Sequence, residues 1–281
     1  MSKVWLVTGA ASGLGAGIAR AALESGARLV ATDVDMDRLR QTFSRHEGHL
    51  LTCELDIRDA KQAELAAEAA LERFGRIDVL VNNAGYGQFG PFEEVEPEKI
   101  ERQFATNVFG TFNVTRAVLP VLRRQRAGHV INMSSNGGFK GVAGASMYSA
   151  SKFAIEGFSE SLAVEVAEFG IRVTIVEPGA FRTDFLDGRS LKLGGRALPD
   201  YDAYRARAQA VFNERNHRQV GDPDRLGRAM VQVADAEQPP LRLIAGRDAL
   251  DVVLTKLAGV AEEIERWREL TLSTDYAAES H

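Results

Sequence analysis

Short apolar runs alternate with longer mixed stretches along almost the whole chain. Runs at residues 4–7, 29–32, 50–53, 79–81, 129–133, 172–176 and 241–244 read as strands. The gaps between them mostly carry apolar residues at helical spacing, as in the alanine-rich stretch from Ala16 to Ser25. Strand and helix in strict turn predict a parallel sheet wrapped by helices, an α/β protein with a doubly wound sheet of about seven strands. No second domain and no repeat interrupts the pattern, so residues 1–281 are expected to form one unit. The alternation breaks in two places. Residues 181–220 hold glycines, Pro199, several arginines and the pair Tyr201/Tyr204. Residues 249–270, after the last strand, place Val252, Val253, Leu257, Val260, Ile264 and Trp267 on one helical stripe.

The first strand runs directly into Thr8-Gly9-Ala10-Ala11-Ser12-Gly13-Leu14-Gly15 and then a helix. Glycines let the backbone approach a ligand, and the free N–H groups and dipole of a helix start attract phosphate. The spacing is Gly-x-x-x-Gly-x-Gly rather than Gly-x-Gly-x-x-Gly. Asp33 ends the second strand, where an acidic residue can accept hydrogen bonds from an adenosine ribose. Its charge repels a 2′-phosphate, and the glycine turn holds no Lys or Arg to offset it, so NAD is preferred over NADP. The bland reading of Asp33 is a helix cap, a task for which Asp35 is also available.

Tyr148 and Lys152 stand four apart and share a face if the segment is helical. An ammonium beside a phenol favours the phenolate, so Lys152 is expected to lower the tyrosine pKa from its ordinary ~10. That spacing is weak alone and gains weight from the glycine turn.

These segments together resemble the short-chain dehydrogenase/reductase family. The likeness spans residues 3 to 184: the glycine turn, Asp56 in Leu55-Asp56-Ile57, Asn82-Asn83-Ala84-Gly85, Asn107, Ser135, Tyr148/Lys152, and Pro178-Gly179 followed by Thr183. It implies a Rossmann fold with a substrate lid at 181–220 after the sixth strand. It also implies an oxidoreductase moving hydride between a nicotinamide cofactor and a secondary alcohol or ketone. On this resemblance Tyr148 is the general acid/base and Lys152 holds the nicotinamide ribose. Ser135 bonds the substrate oxygen, and Asn107 holds a water that reaches Lys152. The cofactor site it implies comprises Gly9, Ser12, Gly13, Leu14, Gly15, Asp33, Asp56, Ile57, Asn83, Ala84, Gly85, Tyr148, Lys152, Pro178, Gly179, Phe181 and Thr183. Asp56 and Ile57 flank the adenine, Asn83 meets its ribose, and Thr183 takes the carboxamide. Each residue also has a plain alternative: a cap for Asp56 or Thr183, a turn for Asn82 and Asn83, a helix bend for Asn107. Ser135 is preferred to Ser134 because alternation turns its neighbour the other way.

The layout is similar to the branch near 17-beta-hydroxysteroid and retinol dehydrogenases. Gln88, Phe89, Phe92, Phe139, Val142, Phe185 and Leu186 are candidate pocket walls, which favours an apolar or extended substrate. Relatives often pair through the last strand and helix, or through the helix carrying Tyr148, so a homodimer or homotetramer is expected. The same stripe could instead pack on the chain's own lid. Two other functions stay open: a non-catalytic NAD-binding sensor or scaffold, and an NAD-dependent epimerase or dehydratase.

Composition adds mostly exclusions. Net charge is −5, which argues against a nucleic-acid surface. No apolar run approaches the ~20 residues of a membrane span. His46, His49, His129, His217 and His281 show no metal-ligand spacing, so no metal is expected. Cys53 is the one cysteine, so no internal disulfide forms, and it is expected to be a small buried residue. The first strand begins too early to leave room for a signal peptide, and a cytoplasmic location is expected.

Overall fold

The computed structural model describes residues 2–44, 48–186, 191–193 and 195–276. His46, His281 and parts of the expected lid (187–190 and 194) lie outside the described residues. The strands are β1 (Val4–Thr8), β2 (Arg28–Asp33), β3 (Leu50–Glu54), β4 (Val79–Asn82), β5 (Gly87–Phe89), β6 (Gly128–Met133), β7 (Ile171–Pro178), β8 (Leu191–Leu193) and β9 (Arg242–Ala245). All except β5 and β8 form one parallel sheet in the order β3-β2-β1-β4-β6-β7-β9. These are the seven strands expected from the sequence.

Every residue of β1 is buried, because both faces of the sheet are covered. Its side chains alternate between two cores. Val4 and Leu6 join the cluster with Ala63, Ala66, Ala70, Val114, Val118 and Leu162, from α3 (Ala60–Phe74), α5 (Thr111–Gln125) and α6 (Ser146–Val166). Trp5 and Val7 join the cluster with Ile18, Leu39, Leu226 and Met230 on the other face. Those four come from α1 (Gly13–Glu24), α2 (Met36–Thr42) and α8 (Pro223–Asp235). Between α3 and α5 lies α4 (Pro97–Phe104), followed by a π-helical turn at Ala105–Gly110.

The order of β1 and β4 reverses the direction in which the sheet is wound. Ligands of such sheets bind beyond the strand C-termini at that switch. The expected site residues cluster at this edge.

The segment after β7 is more structured than the sequence showed. β8 pairs with β5, Gly87 opposite Leu191 and Phe89 opposite Leu193. Beyond it α7 (Asp202–Arg215) is pinned by Glu94, whose buried carboxylate accepts from Leu198 N at 2.7 Å and from Arg205. Tyr201 donates to Glu93 at 2.8 Å. α9 (Arg247–Arg266) then follows β9, and α10 (Arg268–Leu272) closes the described chain. Ala249 and Val253 of α9 are buried, while Leu250, Leu254, Leu257, Ile264 and Trp267 are exposed. Of the expected stripe, Val253 is buried and Val252 and Val260 are half-buried, while Leu257, Ile264 and Trp267 stay uncovered among the described residues.

Candidate active site

One cleft of about 720 Å³ runs along the C-terminal edge of the sheet from Asp33 and Asp56 to Tyr148 and the lid. It collects nearly every residue the sequence singled out. Gly9, Ser12, Gly13, Leu14, Asp33, Asp56, Ile57, Asn83, Ala84, Gly85, Ser135, Tyr148, Lys152, Pro178, Gly179, Phe181 and Thr183 all line it. Gly15 and Asn107 stand just behind.

The floor is the turn between β1 and α1. Gly13 has φ +58°, a conformation most side chains resist. A Cβ on Gly15 would lie 2.1 Å from Gly9 O and 2.4 Å from Asn83 Nδ2, so only glycine lets the turn close. Asn83 fastens that turn from β4, donating to Thr8 O at 2.9 Å and Gly9 O at 3.1 Å. Ser12 caps α1 without a side-chain bond, and the first turn carries no acidic residue. The opening N–H groups of the helix have no intrahelical partner and face an uncluttered space suited to phosphate.

At one end Asp33 is fixed by two backbone donors, Ala11 N to Oδ2 and Asp35 N to Oδ1, both at 3.0 Å. Asp35 itself caps α2, accepting from Arg38 N at 3.1 Å, which leaves Asp33 free of that task. The sequence reading missed two arginines in the cleft wall, Arg38 and Arg58. Both are paired: Arg38 with Asp184 at 2.8 Å, Arg58 through Nε with Asp56 at 2.9 and 3.0 Å. The Arg58 hydrogen bond holds the Asp56 carboxyl below its usual range.

At the other end α6 presents Tyr148 and Lys152. Lys152 Nζ is buried and donates to Met133 O at 2.7 Å, 5.9 Å from the centre of the Tyr148 ring. Burial lowers the Lys152 ammonium to about 8, with Glu156 pulling the other way. Burial raises Tyr148, against a lowering hydrogen bond from Ser135. The expectation that Lys152 would lower the phenol is therefore corrected. The ammonium donates to Met133 O, and desolvation of the buried phenol prevails. Ser135 Oγ accepts from Gly137 N at 3.1 Å and sits beside Tyr148, whereas the Ser134 hydroxyl lies toward Glu156. Asn107 lies in the π-helical turn, where helix irregularities gather at functional sites. It accepts from Tyr86 N at 3.1 Å and donates to Tyr86 O and Ser151 Oγ.

A roof of aromatic rings covers Tyr148. Phe89 stacks on it at 5.5 Å, Phe185 lies at 5.9 Å, and Phe212 of α7 meets Phe89 edge-on at 5.8 Å. Val142 and Val211 complete the wall. Three of the expected wall residues lie elsewhere. Gln88 points to the opposite side of β5 from Phe89, its N–H bonded to Gln103. Phe92 is exposed, and Phe139 packs under Arg242. The side chain of Leu186 lies outside the described residues. Asp248 at the start of α9 was also missed. It accepts from Ala180 N at 2.7 Å and so braces the loop after Pro178.

A short-chain dehydrogenase family model matches residues 3–193. The chain belongs to the short-chain dehydrogenase family. Among its relatives is the oxidoreductase BOA17 of Botryotinia fuckeliana, 36% identical over 98% of this chain and all of that protein. A 3-ketodihydrosphingosine reductase of Bacteroides thetaiotaomicron is 36% identical over 87% of this chain and 88% of its own. A short-chain dehydrogenase from Streptomyces avermitilis superposes with a TM-score of 0.89 at 39% identity, covering 98% of this chain and 100% of that one. Solved structures at 25–28% identity carry 5-hydroxy-NADP or NADH. The chain is thus an oxidoreductase-family protein with a Rossmann-type fold. Among the described residues no cluster of His, Cys, Asp and Glu is placed to hold a metal, and no helix is long and apolar enough to cross a membrane.

Proposed function

We infer that this protein is an NAD-dependent oxidoreductase acting on a secondary alcohol or its ketone, with Tyr148 as general acid/base. The observation that carries the reading is the continuity of the cleft: a phosphate-ready turn and a fixed carboxylate at one end, Ser135, Tyr148 and Lys152 at the other. The donor set fits a dinucleotide. The α1 start would hold the pyrophosphate, Asp33 the adenosine ribose, Lys152 the nicotinamide ribose, and Pro178 to Thr183 the carboxamide side. Bound nicotinamide supplies a hydride acceptor or donor. Ser135 donates a hydrogen bond to the substrate oxygen, where negative charge grows. Tyr148 gives that oxygen a proton on reduction or takes one on oxidation. Burial raises the phenol above its ordinary range, so at neutrality it stands ready as the proton donor for reduction. Phe89, Phe185 and Phe212 exclude water and line a slot for an apolar ketone, a class consistent with the ketone-reducing relative.

NAD is the preferred cofactor on this reading. The Asp33 carboxylate is locked in place, and the nearby arginines are engaged with Asp184 and Asp56. The exposed stripe of α9 is the surface on which a homodimer or homotetramer would form, and the protein would work in the cytoplasm.

Fluorescence titration with NADH and NADPH, followed by an alcohol and ketone panel, tests the proposal. NADH binding with turnover of an apolar ketone is expected. Binding without turnover across the panel would favour a sensor. Substrate change without net NADH consumption would favour an epimerase.

A further inference from the structure

One helical turn beyond Lys152 lies a buried group of charges that the proposed chemistry does not use. Glu156 follows Lys152 by four residues, on the same face of α6, and is only 6% exposed. Its Oε2 is gripped by Arg242 at the start of β9. The same guanidinium donates to Glu177 Oε1 at 2.6 Å and to Glu160. Glu177 is fully buried in β7 and immediately precedes the Pro178–Gly179 loop of the cleft. Arg242 thus ties the helix that carries Tyr148 and Lys152 to the strand that ends in that loop.

The packing around Glu156 is tight, and its second oxygen faces the Ser134 hydroxyl. A Cβ on Gly138 would fall 2.3 Å from Ser134 Oγ, 3.0 Å from Lys152 Cβ and 3.1 Å from Glu156 Oε1. The missing side chain at Gly138 is what lets these three groups converge. Glu177 Oε2 is buried with no hydrogen-bond partner among the described residues, and Glu156 Oε1 lies close to the Ser134 hydroxyl. The group brings Glu156, Glu160 and Glu177 against Arg242 and Lys152, an excess of one acid. Burial, together with the charge of Glu177, lifts the Glu156 carboxyl to about 7, although Ser134 and Arg242 favour its anion. Burial also lifts Glu177. Two buried like charges under one guanidinium cannot ionise independently.

Buried ion pairs of this kind cost desolvation and are weak evidence for stability. Their better use is placement. We propose that Glu156 is a positioning residue for Lys152: clamped by Arg242 one helical turn along α6, its carboxylate keeps the lysine charged. The proposal rests on the reading of Lys152 as the cation on the cofactor side. The groups facing Lys152 are Glu156 and Tyr148 of α6, and Met133 O of β6. Those facing Glu156 are Lys152 and Glu160 of α6, Glu177 of β7 and Arg242 of β9.

The test follows the Lys152 side chain directly and needs no cofactor. Lysine labelled with ¹³C at Cε is titrated by NMR in the wild type, with the Lys152 signal assigned through Lys152→Arg. Glu156→Gln keeps the shape and removes the charge. Its Lys152 midpoint is expected to fall by about one pH unit, the size of a close opposite charge. Arg242→Gln is expected to move the midpoint the same way, because Glu156 then takes up a proton. Glu160→Gln, exposed on the outer side of Arg242, should leave it in place. An unmoved midpoint in both Glu156→Gln and Arg242→Gln would overturn the proposal, even if both variants lost thermal stability. Failure of the wild type to bind NADH would instead remove the proposed function while the Lys152 midpoints still decided the coupling. In an active enzyme the alkaline limb of kcat/KM should shift with the midpoint.

Discussion

Asp33 shows how a single side chain sets a preference through its anchoring. Two backbone N–H groups fix the carboxylate at the end of β2, so it cannot swing away from a 2′-phosphate. Asp33→Ala should shift the ratio of NADH to NADPH affinity toward NADPH by about tenfold, on the order of 1.4 kcal/mol. Paired fluorescence titrations measure this, and an unchanged ratio would assign the preference to another group. Lys152 offers a second residue-scale forecast. Its ammonium, lowered to about 8 by burial, is charged below that pH and neutral above it. Reduction should therefore hold through neutrality and decline as pH rises through about 8. A flat kcat/KM profile to pH 10 would remove the need for that charge. Tyr148 and Lys152 were legible in the sequence because a four-residue spacing survives as a shared helix face, and Ser135 was legible through the family resemblance and strand alternation. The direction of the tyrosine shift was not, since desolvation depends on the rings of Phe89 and Phe185, which arrive from other segments.

At the scale of elements, the sequence was most legible where residues repeat with a period. Each strand of the large sheet is a short apolar run, and each glycine-turn position follows one. The pair β5–β8 escaped notice because three residues carry no readable alternation. Phe212 escaped because α7 is polar on most of its surface, and the ring faces the cleft only once β8 and Glu94 have fixed the helix. Gln88 and Phe139 were expected in the wall, and strand alternation and the Arg242 contact place them elsewhere. If α7 is a substrate cover, Phe212→Ala should raise KM for apolar ketones about tenfold, within the 1–3 kcal/mol of a lost apolar contact. NADH affinity should not change. A lower NADH affinity with KM intact would place Phe212 on the cofactor instead. The turn under the phosphate tolerates less. Gly15→Ala forces a methyl to 2.1 Å from Gly9 O and should abolish NADH binding while costing about 1–3 kcal/mol of stability. Retained binding would mean that the turn is not the phosphate site.

The whole molecule carries a further pH dependence that is independent of the cleft. His129 is buried in β6 beside Thr174, 2.8 Å away, and burial depresses its pKa to about 4. The unfolded chain binds that proton at ~6.5, so the histidine's contribution is complete above that pH and is lost as pH falls toward 4. The loss amounts to about 2 kcal/mol by pH 5. Urea unfolding at pH 7 and pH 5 should show a gap of that order between wild type and His129→Gln. Equal pH dependence in the two would contradict the assignment. The sheet that buries His129 also brings the two ends of the cleft together, and the account depends on their being one site. The most direct measurement is therefore NADH binding and ketone turnover in the same preparation of Tyr148→Phe. Turnover should fall about 10²–10⁴-fold. The NADH dissociation constant should stay within about twofold of wild type, a change of under 1 kcal/mol. Turnover near the wild-type rate in that variant would contradict the account.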